Sequence, residues 1–243
     1  MPRWTKISFQ ERNSPTIEHL SIFHDHSIII LIIITISTFY LLSSIIKRKL
    51  LNITFIENQE IEIFWTLIPI FILIFIIYPS IKILYIIEEN ISPSITIKIK
   101  GHQWYWSYEY SNLKDLSIDA FITKKIPRLL ICNNNLILPT KIPTRLITTS
   151  EDVIHSWTVP SLGIKADAVP GRINQIITEI TRSGKLTGQC REICGSNHRF
   201  IPISITRTNP KTFINSLKNI SLNGWLKHWP LKPTIVKTFN EIS

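Results

Sequence analysis

Four residues in the second half of the chain could hold a metal. Cys190, Cys194 and His198 fall within one short run, CREICGSNH, and His155 lies upstream on a strand-like stretch. Structural zinc sites favour two separated knuckles of paired ligands, whereas here both thiols and one imidazole share a single loop. Two thiolates with two imidazoles are soft and borderline donors that suit copper or zinc. The same residues could instead belong to a small core with a Cys190–Cys194 disulfide. Clustering of both residue types in one loop favours the metal. Cys132 has no histidine near it in sequence and reads as a small buried hydrophobe. A second dense segment, GHQWYWSYEY over 101–110, carries five aromatic residues. It could be core, a membrane-interface belt or a path for electrons, and its place just after an apolar stretch suits the belt.

Two apolar stretches must come before these residues in the fold. Ser27–Ile46 is twenty residues without a charge, and Ile63–Ile81 is nineteen. At 1.5 Å per helical residue, twenty residues span about 30 Å, the hydrocarbon thickness of a bilayer. Pro69 is tolerable in a membrane helix, where neighbours satisfy the freed carbonyl. The first stretch is not a cleavable signal, because Glu11, Glu18 and Asp25 precede it and no small-residue cleavage site follows. The short loop 47–62 makes the two helices an antiparallel hairpin. Lys47, Arg48 and Lys49 give only a weak vote for its lying on the inner side, since Glu57, Glu60 and Glu62 share it. Glu60 and Glu62 sit at the mouth of the second span, where carboxylates are often functional.

Beyond Glu89 the period changes. Ile95, Ile97 and Ile99 alternate with polar residues, which predicts a half-buried strand. Further strand-like runs cover Thr144–Thr149, Val153–Val159, Ile173–Thr181 and Ile203–Thr208. Pro, Gly and Asn turns separate them, so a β-sandwich or small barrel is expected. The segments predicted are 1–26 N-terminal, 27–46 and 63–87 transmembrane, 47–62 loop, 93–208 β-domain and 209–243 tail. Of 243 residues 44% are hydrophobic and 18% charged, which excludes a disordered chain. The net charge of +10 is dispersed, with no basic run longer than 47–49, so nucleic acid is not expected as a partner.

Several long motifs, in order, carry a resemblance: HDH at 24–26, GHQWYWSYEY, SEDVIHSW at 150–157, PSLGIKADAVPGR at 160–172 and GQCREICGSNH at 188–198. Together the chain resembles the mitochondrial-type cytochrome c oxidase subunit II family over roughly residues 8–215. The resemblance implies an α+β membrane protein, a two-helix transmembrane hairpin followed by a cupredoxin-like Greek-key β-barrel. It places the protein in the mitochondrial inner membrane with its C-terminal domain in the intermembrane space. It implies a dinuclear copper centre (CuA) bridged by Cys190 and Cys194, with His155 and His198 each on one copper. The Glu192 carbonyl would be a weak axial ligand, and its side chain a ligand of a magnesium shared with subunit I. Trp104 matches the aromatic through which cytochrome c delivers electrons, and Glu62 the acid at a proton-channel entrance. Glu109, Asp115, Asp119, Glu151 and Asp152 resemble the acidic patch that docks cytochrome c. Subunits I and III and membrane lipid are the other partners implied, and the reaction is oxygen reduction coupled to proton pumping. A non-copper scaffold of a quinol oxidase would lack the Cys pair and both His. A membrane-tethered copper-binding protein would keep them without a partner complex.

Three positions depart from the family. Its axial methionine falls at Ile201, which cannot ligate copper, and Arg191 and Arg199 stand where small serines are usual. Residues 222–243 extend past the usual end and read as a loosely packed basic tail. Met1 is the sole methionine, against 51 isoleucines. Genuine drift in an AT-rich gene is one account, although two arginines buried beside the metal would be costly. Reading a mitochondrial gene with the ordinary codon table is the other, since it turns methionine into isoleucine and serine into arginine. Mass spectrometry of the native peptide spanning Gln189–Pro202 separates them: serine at 191 and 199 with methionine at 201 supports the second account, and arginine with isoleucine supports the first.

Overall fold

The computed structural model describes residues 9–48, 57–89, 92–111 and 116–223. They form two compact units, one of residues 19–86 and one of residues 9–18 with those from 87 onward. Asp115, the middle of the 47–62 loop and most of the 222–243 tail lie outside the described residues.

Helix α1 spans Pro15–Lys47 and α2 spans Gln59–Glu88. Both exceed the apolar stretches that predicted them. At 33 residues α1 is about 50 Å long, so its polar first turns project beyond a hydrocarbon layer about 30 Å thick. Its start is fixed by Ser14, whose Oγ accepts the Ile17 N–H at 3.3 Å and donates to the Leu162 carbonyl at 2.6 Å. Asn58 caps α2 in the same way, accepting the Ile61 N–H at 3.2 Å. Hydroxyls inside the apolar run of α1 turn back onto their own helix, as Thr35 does to the Leu31 carbonyl at 2.7 Å. None of the apolar window of either helix is buried within the chain. Such surfaces need lipid or other helices around them.

The second unit is the expected β-sandwich. Its strands are β1 (Ile95–His102), β2 (Tyr105–Tyr110), β3 (Ser117–Ala120), β4 (Leu136–Pro139), β5 (Thr144–Ser150), β6 (His155–Val159), β7 (Ile164–Ala168), β8 (Asn174–Thr178), β9 (Gly184–Cys190) and β10 (Pro202–Thr208). One sheet runs β3-β2-β1-β5-β8 and the other β4-β10-β9-β6-β7. The alternation read at Ile95–Ile99 is real: these side chains are buried, and Thr96 and Lys98 between them are only half-buried. The run read from Val153 becomes a strand only at His155, because Val153 and Ile154 are exposed in the preceding turn. The predicted tail begins instead as an ordered helix, α3 (Pro210–Asn223), whose Phe213 and Leu217 are buried against the sandwich core. They stand four residues apart on one face, a helical signal that the polar neighbours obscure.

Two tyrosines tie the sheets together. Trp157 of β6 donates from Nε1 to the Tyr108 hydroxyl at 3.5 Å. Tyr110 Oη donates to the Ile137 carbonyl at 2.9 Å and accepts the Ile137 N–H at 3.0 Å. Burial pushes both phenols well above their ordinary range. Tyr110→Phe removes one partner from each of two backbone groups and should cost about 1–3 kcal/mol. Thermal unfolding of the full chain followed by near-UV dichroism should show a lowered Tm; an unchanged Tm would mean that the tie carries no load.

Candidate metal centre

His155 opens β6 and Cys190 closes β9, and these strands pair with Trp157 opposite Cys190. The antiparallel pairing of β9 with β10 then forces residues 191–201 into a loop at one end of the sandwich. The loop is pinned at both ends. Cys190 N–H donates to the Ile201 carbonyl at 3.2 Å, and Arg191 N–H donates to the Ser156 carbonyl at 3.1 Å. Gly195, at φ +120°, makes the turn that carries Cys194 back toward the sandwich.

The ligand atoms of His155, Cys190 and Cys194 lie within 4.8 Å of one another, and all three residues are buried. The His198 Nδ1 is 3.5 Å from the Cys194 sulfur. The Cys190 thiol points at the Glu192 carbonyl oxygen, 3.4 Å away. Both cysteines are free thiols, so the disulfide alternative is not formed. Cys132 stands apart, its sulfur donating to the Pro202 carbonyl at 3.3 Å and its thiol pushed up to about 11 by burial. Among the described residues the His155–Cys190–Cys194 group is the one such cluster.

The donor set fits a metal. His155 Nε2 is held by Asp152 Oδ1 at 2.8 Å, while its buried Nδ1 has no partner. Metal-binding imidazoles are typically arranged so, with one nitrogen oriented by a carboxylate and the other free to ligate. Burial disfavours both thiolates and is the largest single influence on Cys190, but His155 and the backbone of Ser156 and Glu192 together outweigh it and lower that thiol. Cys194 is pushed up to about 12 by burial and by the Cys190 charge. A cation is what would let both sulfurs ionise together.

Residues beyond the donors set the geometry. Gly101 is required because a Cβ there would stand 2.8 Å from the His155 ring. Gln103 Nε2 donates to the Cys194 carbonyl at 2.8 Å, and the Gln103 N–H donates to Asp152 Oδ2. The hairpin of β1 and β2 therefore holds the loop at Cys194 and the segment before β6 at Asp152. Next to Gln103, the indole edge of Trp104 lies where a Cβ on Gly195 would meet it at 3.3 Å. The aromatic run, expected as a membrane-interface belt, instead forms this hairpin with Trp106, Tyr108 and Tyr110 buried in the sandwich core; Gly101 and Gln103 carried no signal, since their partners are some 50 to 90 residues away.

The acidic residues do not behave as one patch. Lys100 Nζ lies 2.6 Å from Glu109 and 3.1 Å from Glu151. Hydrogen bonds to these two acids raise the lysine above its ordinary value, and Lys100 holds Glu151 below its own. Asp152 is turned toward His155, and Asp119 is exposed on β3. Glu62 lies exposed in the first turn of α2. Arg191 and Arg199 are exposed, so the burial cost expected of them does not arise; Ile201 is buried and offers no ligand atom.

A family described as cytochrome c oxidase subunit II, periplasmic domain, matches residues 95–208, and its transmembrane domain matches 2–83. Cytochrome c oxidase subunit 2 of Sympetrum striolatum is 46% identical over 230 residues, covering 91% of this chain and 99% of that one. The same protein of Apis koschevnikovi is 49% identical over 219 residues, covering 88% and 97%. The crystal structure of the periplasmic domain of subunit II of cytochrome oxidase of Bradyrhizobium japonicum is 35% identical with a TM-score of 0.54, covering 56% of this chain and 99% of that one.

Gly101→Ala should displace the His155 ring and weaken copper retention at least tenfold, while Gln103→Ala should leave the donors in place and loosen the loop. Competition with a copper chelator measures both; equal retention in Gly101→Ala and the unmodified chain would show that His155 is no ligand.

Proposed function

The chain belongs to the cytochrome c oxidase subunit II family, and on that premise we propose that its His155–Cys190–Cys194–His198 loop takes two coppers and receives electrons from cytochrome c for the haem of subunit I. The observation that carries this reading is the unpartnered His155 Nδ1 facing two free, buried thiols. When bound, the copper pair supplies a one-electron acceptor whose charge is shared across two sulfurs.

The protein residues do the rest. Asp152 fixes the His155 ring so that Nδ1 faces the sulfurs. Gln103 holds the Cys194 peptide, which would limit movement of that sulfur when the electron arrives. Trp104, half-buried beside Gly195, offers an aromatic surface between solvent and the loop. The sandwich core under β6 excludes water from His155, which is 0% exposed. We assign the Glu192 carbonyl, 3.4 Å from the Cys190 sulfur, as a weak ligand that the coppers would take, and its carboxylate to a magnesium shared with subunit I.

Subunits I and III are the partners we infer for the exposed apolar faces of α1 and α2, with lipid around the remainder. The family places these helices in the mitochondrial inner membrane, and we orient the β-domain toward the intermembrane space. Glu62, at the start of α2, is our candidate for the proton-channel entrance into subunit I. For cytochrome c docking, Asp119 remains the described acid not tied to the Lys100 cluster or to His155 by the contacts above. Glu109, Glu151 and Asp152 would add field only in part, because Lys100 and His155 offset them.

Cys190→Ser and Cys194→Ser should each abolish a mixed-valence dicopper spectrum in the copper-loaded full chain, because serine cannot bridge as a thiolate does. Retention of that spectrum in either variant would place the bridge elsewhere. A single-copper spectrum in the unmodified chain would favour a membrane-tethered copper-binding protein.

A further inference from the structure

A cavity of about 730 Å³ opens where the N-terminal arm crosses the sandwich. Residue Asn13 anchors that arm: its N–H donates to the Ser161 carbonyl at 3.2 Å, and its carbonyl accepts the Thr181 N–H at 3.0 Å. Arg207 of β10 lines the cavity and is only 8% exposed. Its Nη1 donates to the Asn13 side-chain oxygen, and its buried Nε has no partner. Among the described residues no carboxylate lies within ion-pair distance of this guanidinium. Burial lowers its pKa; Glu11 opposes that and Arg182 adds to it. Gly184, at φ +130°, packs against it, since a Cβ there would stand 2.8 Å from Nη2.

A buried cation without a counter-charge is costly, and so is a buried hydroxyl without a partner. Both occur here in the lining of one cavity. Ser161 Oγ, in a residue 4% exposed, has no hydrogen-bond partner. Lys185 adds a second positive charge to the lining, and Glu11 is the one acid in it. Apolar residues share the lining: Leu186, on the strand paired with β10, together with Ile131 and the exposed Ile126. Pockets of this volume with convergent polar groups and apolar walls hold small organic molecules.

We propose that this cavity binds a small organic anion, a carboxylate or phosphate monoester, with its charged head on Arg207 and Ser161 and its apolar body on Ile126, Ile131 and Leu186. A guanidinium fork meets either head group through two parallel hydrogen bonds, and the Ser161 hydroxyl supplies a third donor. The site is separate from the copper loop and does not depend on the proposed electron transfer.

Calorimetric titration of the full-length chain in detergent with phenylacetate, phenyl phosphate and inorganic phosphate tests this. One-to-one binding of phenylacetate or phenyl phosphate is expected, and the tighter of the two identifies the head group. Arg207→Gln should weaken it at least tenfold with the copper-site absorption unchanged. Lys185 is exposed, so Lys185→Gln should fold normally and weaken binding a few-fold. If Arg207→Gln fails to fold, Lys185→Gln decides alone. No binding of either organic probe, binding indifferent to the substitutions, or inorganic phosphate bound as tightly as phenyl phosphate would overturn the proposal.

Discussion

Two cysteine sulfurs held against one buried imidazole repel each other once both are ionised, and in a low-dielectric loop that repulsion is large. The thiols respond in opposite directions, Cys190 lowered beside His155 and Cys194 raised to about 12. Such an arrangement is stable as a charged unit only with a cation between the sulfurs. Much of the β-domain can be read as the means of keeping that unfavourable grouping together. Pairing of β6 with β9 sets His155 near Cys190, and pairing of β9 with β10 closes the loop that returns Cys194.

The first hairpin of the sandwich supplies the clamp. Gly101 leaves space for the imidazole, Gln103 ties the Cys194 peptide, and Asp152 ties both Gln103 and His155. A single set of contacts thus connects the aromatic surface at Trp104 to the donor loop. Preorganisation of this kind suits one-electron chemistry, where a site that must move on reduction is slow. The apolar helices serve a different end: they present side chains to a bilayer and to other subunits.

The residue types and spacing at 190–198 made the candidate donors legible, and alternation made β1 legible, because both signals are local. Ser14, Gly101 and Gln103 were not legible, since each acts on a residue far along the chain. Asp152 read as a docking charge because sequence gives a carboxylate its sign but not its direction; the structure turns it inward to His155. The pairing of Lys100 with Glu109 and Glu151 was hidden for the same reason, as it depends on β1 lying beside β2 and β5. Helix α3 was hidden differently: its polar residues outweighed the few apolar ones that pack, Phe213 and Leu217 among them.

The central claim is that this loop holds two metals acting as one electron carrier. Reductive coulometry of the copper-loaded full chain, with copper counted in the same sample, tests it most directly. Two coppers and one electron taken up per chain is the predicted result. One copper per chain, or two coppers taking two independent electrons, would contradict it.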